Sequence, residues 1–191
     1  MSRGTRCYWG AVLAIGTLYL WYSQTRAFTW DEGYHLLAAQ LVTKGKRLYL
    51  DFCFPQPPLN TYWNAAWMRL TGGGWRVIHA VAAILCCGTA WLSSGWAQSR
   101  FPDESWRGAA AFVVLTAVGL NVLIVQFGPI GQSYALTLIL IVVAFRLAVR
   151  AAATERVSIA ALAGLAGGRR RGGDPVKRAG GRRAADLDPR L

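Results

Sequence analysis

Two adjacent carboxylates, Asp31 and Glu32, stand in a stretch that is otherwise aromatic, proline-bearing and set between strongly apolar segments. A carboxylate so placed can take or orient the proton of an attacking hydroxyl, and such chemistry also asks for a cation beside a negatively charged leaving group. Side chains of suitable type follow: His35 one turn on, the basic residues Lys44, Lys46 and Arg47, then Asp51 and Gln56. Each also has a plainer role. Thr29-Trp30-Asp31-Glu32 fits a capping box, in which the Thr hydroxyl and the Glu carboxylate satisfy backbone N–H groups at a helix start. Asp31 would then be a favourable first-turn charge. His35 suits packing better than ligation, and the basic residues suit an interfacial anchor better than a substrate clamp.

The elements that must hold these residues can be read on either side of them. A helix beginning near Trp30 carries Tyr34, Leu37, Ala38 and Leu41 as an apolar stripe and ends at Lys44-Gly45-Lys46. Pro55, Pro57 and Pro58 impose a stiff extended segment after Asp51. Pro58 suits the first turn of a second helix, whose Tyr62, Trp63, Trp67 and Leu70 belong at the head-group level of a membrane.

Flanking this loop are blocks without charge. Cys7 to Thr25 supplies 19 uncharged residues, roughly 28 Å of helix. A cleaved signal peptide is the alternative for that block, but Trp9, Tyr19, Trp21 and Tyr22 bracket it as an interfacial belt would, and no small-residue cleavage site follows. Another 23 uncharged residues lie between Arg76 and Arg100, with His79 near one end, where a polar group is expected to face the bundle rather than lipid. From Gly108 to Phe145 the uncharged run is 38 residues, too long for one span, and Gly128-Pro129-Ile130-Gly131 divides it. The expected fold is an all-α integral membrane protein of about four spans, near 7–25, 77–97, 107–127 and 132–149, with a long loop over 24–75 holding two interfacial amphipathic helices.

The basic residues Arg3, Arg6, Arg100, Arg107, Arg146, Arg150 and Arg156 all fall on one side of such a bundle, which the positive-inside rule makes cytoplasmic. Both termini are then cytoplasmic, the 24–75 loop is outside, and the location expected is a bacterial-type plasma membrane. The net charge of +12 flanks spans or sits in the stretch from Arg169 to Leu191, where eight Lys/Arg face three Asp. Anionic lipid is a simpler partner for it than nucleic acid. Cys86 and Cys87 lie inside a span, Cys7 on the inner side and Cys53 in the outer loop, so neither a disulfide framework nor a metal-thiolate spacing is present.

A first span, an outer loop opening with Asp-Glu and carrying two interfacial helices, then further spans, resembles the N-terminal part of the C-superfamily (GT-C) membrane glycosyltransferases. The stretches Trp30-Asp31-Glu32-Gly33-Tyr34-His35, Tyr49-Leu50-Asp51-Phe52 and Pro55-Gln56-Pro57-Pro58-Leu59 are similar to the dolichyl-phosphate-mannose-protein mannosyltransferase-like group, glycosyltransferase family 39, over roughly residues 8 to 165. The resemblance implies transfer of a sugar from a polyprenyl-phosphate donor to a glycan, lipid or protein acceptor on the outer face. It makes Asp31 the catalytic carboxylate, with Glu32, His35, Asp51 and Gln56 as substrate-binding neighbours and Lys46 and Arg47 beside the lipid phosphate. Many relatives carry a second acidic or polar cluster in the next outer loop, whereas Gln126 to Tyr134 has no carboxylate here. The metal is therefore left unknown, a divalent ion having no clear second acidic cluster to hold it.

Beyond that, Val157 to Gly167 starts as a fifth span would but offers 11 residues, roughly 17 Å, too few to cross. The Gly- and Arg-rich residues 168–191 show no periodicity and are expected to be a disordered basic tail. A full transferase of this group is expected to have many more spans, so 1–167 reads as an N-terminal fragment, with the tail either genuine or a frame-shift product. The competing class is a non-catalytic small multi-span protein, a transporter subunit or adaptor. A transporter would place ionisable residues near the midplane, which these spans lack apart from the Gly-Pro break, and an adaptor has no need of the Asp-Glu loop.

Overall fold

The structure is a computed structural model and describes residues 3–26, 28, 31–154 and 157–167. Regular structure among them is helical, apart from an isolated bridge between Leu48 and Phe52. In chain order the helices are α1 (Arg3–Thr25), α2 (Glu32–Thr43), α3 (Leu59–Thr71), α4 (Trp75–Arg100), α5 (Arg107–Gly119), α6 (Val122–Phe127), α7 (Tyr134–Thr154) and α8 (Val157–Gly167), with a 3-10 turn at Glu104–Trp106 before α5. The tail, for which disorder was expected, lies outside the described residues.

Two of these helices, Trp75–Arg100 and Tyr134–Thr154, are long and apolar enough to cross a membrane. Only 11% of the most apolar stretch of α7 is buried, so it is not the central helix of a water-soluble core. The expected single helix over 107–127 is broken. Leu120 ends α5, and Asn121 turns to extended backbone and caps α6, its Oδ1 accepting the amides of Leu123 (3.0 Å) and Ile124 (3.4 Å). An asparagine side chain offers backbone N–H groups a local acceptor, which is why it starts helices more readily than it continues them.

One core gathers where α1, α4, α5 and α7 meet, around Ile15, Tyr19, Ala82, Ala83, Cys86, Leu115 and Ala135. The Tyr19 hydroxyl, buried with the rest of its side chain, donates to the carbonyl of Gly119 (2.8 Å). A second core joins the loop helices to α4 through Leu36, Ala39, Ala65, Met68 and Ile78. The buried residues of α2 are Glu32, His35, Leu36, Ala38 and Ala39, so of the expected apolar stripe Tyr34 and Leu37 are turned outward while Ala38 is buried against Leu48 and Phe54. The i, i+3, i+4, i+7 spacing holds for both faces, and the one carrying the ionisable residues goes inside because His79 and Gly131 wait there. The C-terminus of α2 follows the sequence: Lys46 N–H donates to Leu41 O and Gly45 N–H to Val42 O, both 3.0 Å, with Gly45 at φ +84°.

Candidate functional site

The chemistry centres on the start of α2, where four other segments converge. Ser23 is in the last turn of α1, whose final carbonyls have no partner within the helix. His79, in the second turn of α4, takes that carbonyl: Nδ1 donates to Ser23 O at 2.6 Å. A carbonyl can only accept, so Nδ1 carries a hydrogen, and the bond from Nε2 to Glu32 Oε1 holds one further proton between the two side chains. The same Oε1 accepts the Gly131 amide at 2.7 Å. Gly131 O in turn accepts Asn64 Nδ2 (2.8 Å) and Asn60 Nδ2 (3.1 Å) from α3. Glu32 and His79 are both fully buried. The aromatic rings of Trp75 (centroids 4.9 Å apart) and Phe28 (6.3 Å) meet the imidazole edge to face.

Gly131 lies close against α2. A Cβ there would lie 2.9 Å from Leu36 Cδ2 and 3.2 Å from Glu32 Oε1, so a larger residue would make both side chains shift.

The capping box expected over Thr29–Glu32 falls partly outside the described residues, and to it the structure adds an inward role for Glu32 Oε1. Thr29 and Trp30 lie outside the described residues; α2 begins at Glu32, and Asp31 stands at its N-cap without a capping side-chain bond. Glu32 Oε1 turns inward to a buried imidazole and a buried amide, which gives a buried carboxylate oxygen the partners it needs. The Asp-Glu pair is thus divided: Glu32 anchors the helix, and Asp31 is exposed at its head.

The remaining expected site residues are not gathered around Asp31. His35 is buried against Phe54 (centroids 5.6 Å), and its Nδ1 makes no hydrogen bond. Burial pushes its pKa below the usual histidine value, against the opposing pull of Asp31 and Glu32. Arg47 and Asp51 pair with each other at 3.0 Å, and Asp51 Oδ2 also accepts the Arg47 amide at 2.7 Å. Hydrogen bonds from Arg47 hold the Asp51 carboxyl below the usual carboxylate range. These bonds close a tight turn in which Tyr49 takes the left-handed conformation at φ +69° and its hydroxyl donates to Gln56 O at 2.5 Å. Lys46 is exposed at the far end of α2, so the 12 residues of that helix put about 18 Å between the basic cluster and Asp31. The structure does not bring Lys46 and Arg47 together with Asp31. Arg76, exposed and stacked on Trp75 (5.2 Å), stands three residues before His79 in the first turns of α4.

Ser23, Asn60, Asn64 and Gly131 were not picked out as functional from the sequence. The Asn60/Asn64 pair, one turn apart in an aromatic helix, was the available signal. Among the described residues no group of three or more His, Cys, Asp or Glu is gathered to hold a metal ion, and all four cysteines are free. Compared with protein-family models, curated proteins and solved structures, the chain matches none.

Proposed function

We propose that this chain is a membrane-embedded, GT-C-like sugar transferase unit that uses a polyprenyl-phosphate-linked donor on the outer face, with Asp31 as the proton acceptor. The observation that carries this reading is the division of the Asp-Glu pair, with one carboxylate exposed at a helix head and its neighbour buried in a hydrogen-bonded anchor. A general base must be held within hydrogen-bond reach of the acceptor hydroxyl. Ser23, His79, Glu32 and Gly131 tie the start of α2 to α1, α4 and the turn before α7, so Asp31 projects from a fixed frame.

In the reaction, the acceptor hydroxyl attacks the anomeric carbon as its proton passes to Asp31. The bond from that carbon to the phosphate oxygen breaks, and the polyprenyl phosphate leaves with the electron pair. Arg76 replaces the Lys46–Arg47 cluster as the cation proposed for that phosphate, because it shares the α4 frame with His79. Four segments cross the bilayer in this reading: α1, α4, the α5–α6 pair and α7. The outward apolar side chains Leu13, Trp21, Ile84, Val113, Ile141 and Phe145 would face lipid. Both termini are cytoplasmic and α2 and α3 lie at the outer surface, with Tyr34, Leu37, Tyr62 and Leu70 toward head groups.

The test is sugar transfer in proteoliposomes carrying the purified protein and labelled polyprenyl-phosphate sugars, mannose first. Transfer by the wild type and its loss in Asp31→Asn are expected, since the amide keeps the shape but takes no proton. Undiminished transfer by Asp31→Asn removes Asp31 from the chemistry, and no transfer by the wild type from any such donor refutes the transferase reading.

A further inference from the structure

At the end of the bundle opposite Glu32 and His79, the first turns of α1, the last turns of α4, the start of α5 and the second half of α7 line a half-open cavity of about 840 Å³. That is within the size range of small-molecule sites. Gly4, Gly95, Gly108 and Ala109 make the space by having little or no side chain, and Arg146 reaches into it. Its walls include Trp9 and Trp91, each nearly half exposed (43% and 45%). These two tryptophans also begin a second, apolar groove of about 460 Å³ that runs between α1 and α4 past Val12, Gly16, Ile84 and Gly88 to Leu20. From Trp9 to Leu20 the groove follows about 16 Å of helix.

Arg146 needs explaining. It lies eight residues, about 12 Å, short of the end of α7, after the apolar run from Leu136 to Phe145. A guanidinium has five N–H donors and keeps its charge wherever it is placed. Its Nη1 donates to the carbonyl of Leu92 at 2.7 Å. Among the described residues no carboxylate pairs with it, and no acidic residue lines the cavity. Arg107, by contrast, has its own partners in Glu104 (2.7 Å) and Phe101 O (3.1 Å). A cation with spare donors in a roomy cavity, continuous with an apolar groove along the bundle, fits a molecule with an anionic head and an apolar tail.

We propose that this cavity and groove bind one anionic phospholipid, with its phosphate on Arg146 and an acyl chain along the α1–α4 groove. This rests on the membrane-spanning reading and not on the transferase one. The site is on the opposite side of the bundle from Asp31, so it is not a donor site; it fixes the α1–α4 contact from the inner leaflet.

The test reconstitutes the full chain in vesicles of equal phosphatidylglycerol and phosphatidylcholine and reads bound lipid by native mass spectrometry. Retention of one phosphatidylglycerol in preference to phosphatidylcholine is expected, reduced roughly tenfold by Arg146→Gln through loss of a charge-assisted contact. Gly95→Leu keeps the arginine in the sequence and fills the head cavity; a Cβ at position 95 meets nothing nearer than Arg146 Nη1, at 3.9 Å, and the rest of the leucine enters the cavity space. It should lose the lipid too, and it decides the matter if Arg146→Gln does not fold. Equal retention of the two lipids, or wild-type retention by a folded variant, overturns the proposal. Displacement of the lipid by millimolar inorganic phosphate would assign the site to a free anion instead. Recovery of the wild type in the soluble fraction would be the separate failure of the membrane reading.

Discussion

Replacing Glu32 by alanine should be among the most damaging single changes this chain can undergo. The substitution leaves two buried groups without their partner, His79 Nε2 and the Gly131 amide. Each unmade bond at a buried site costs about 1–3 kcal/mol, so the loss is about 2–6 kcal/mol before the void is counted. Against a typical total stability of about 5–15 kcal/mol that is a large share. Glu32→Gln should be milder, about 1–3 kcal/mol. Its amide can donate to His79 or its oxygen can accept from Gly131, but in the protein a single oxygen serves both. Reversible unfolding in mixed detergent micelles, followed by helical circular dichroism, measures both variants. An alanine variant within about 0.5 kcal/mol of wild type would put Glu32 among inert surface positions and refute the anchor.

His35 gives a pH-dependent counterpart: because burial lowers its folded pKa, the unfolded chain takes up the proton first as pH falls below about 6.5, so its contribution is full above that value and lost as pH falls through the lowered folded value. Stability measured between pH 7 and 5 should fall less steeply in His35→Leu, and an unchanged slope would show that His35 does not titrate in this way. Reporter fusions after Gly45 and after Arg156 test the topology, with an outside signal expected at the first and an inside signal at the second; an inside signal at Gly45 overturns the orientation.

Much of the fold was legible because it depends on local signals. Charge-free blocks, Gly45 as a helix stop and Pro58 at the start of α3 each act within a few residues, and the helices follow them closely. His79 was rightly expected to face the bundle, since an exposed imidazole at a span edge would be costly. What could not be read were partners distant along the chain. Glu32 matched a capping box in its own neighbourhood, and nothing local reveals that the Gly131 amide, 99 residues away, donates to its carboxylate. The same is true of Arg47 and Asp51: as types they suit a substrate site, but their four-residue spacing lets each satisfy the other. The break at Asn121 was hidden inside an apolar run whose hydropathy outweighed one polar residue.

The most direct test of the proposed transferase reading is photo-cross-linking with a polyprenyl-phosphate sugar that carries a diazirine near the phosphate. Labelling within residues 24–79, competed away by the unmodified donor and weakened by Arg76→Gln, is the predicted result. Labelling that the unmodified donor does not compete, or that falls only around Gly4, Gln98 and Arg146 at the other end of the bundle, would contradict the account.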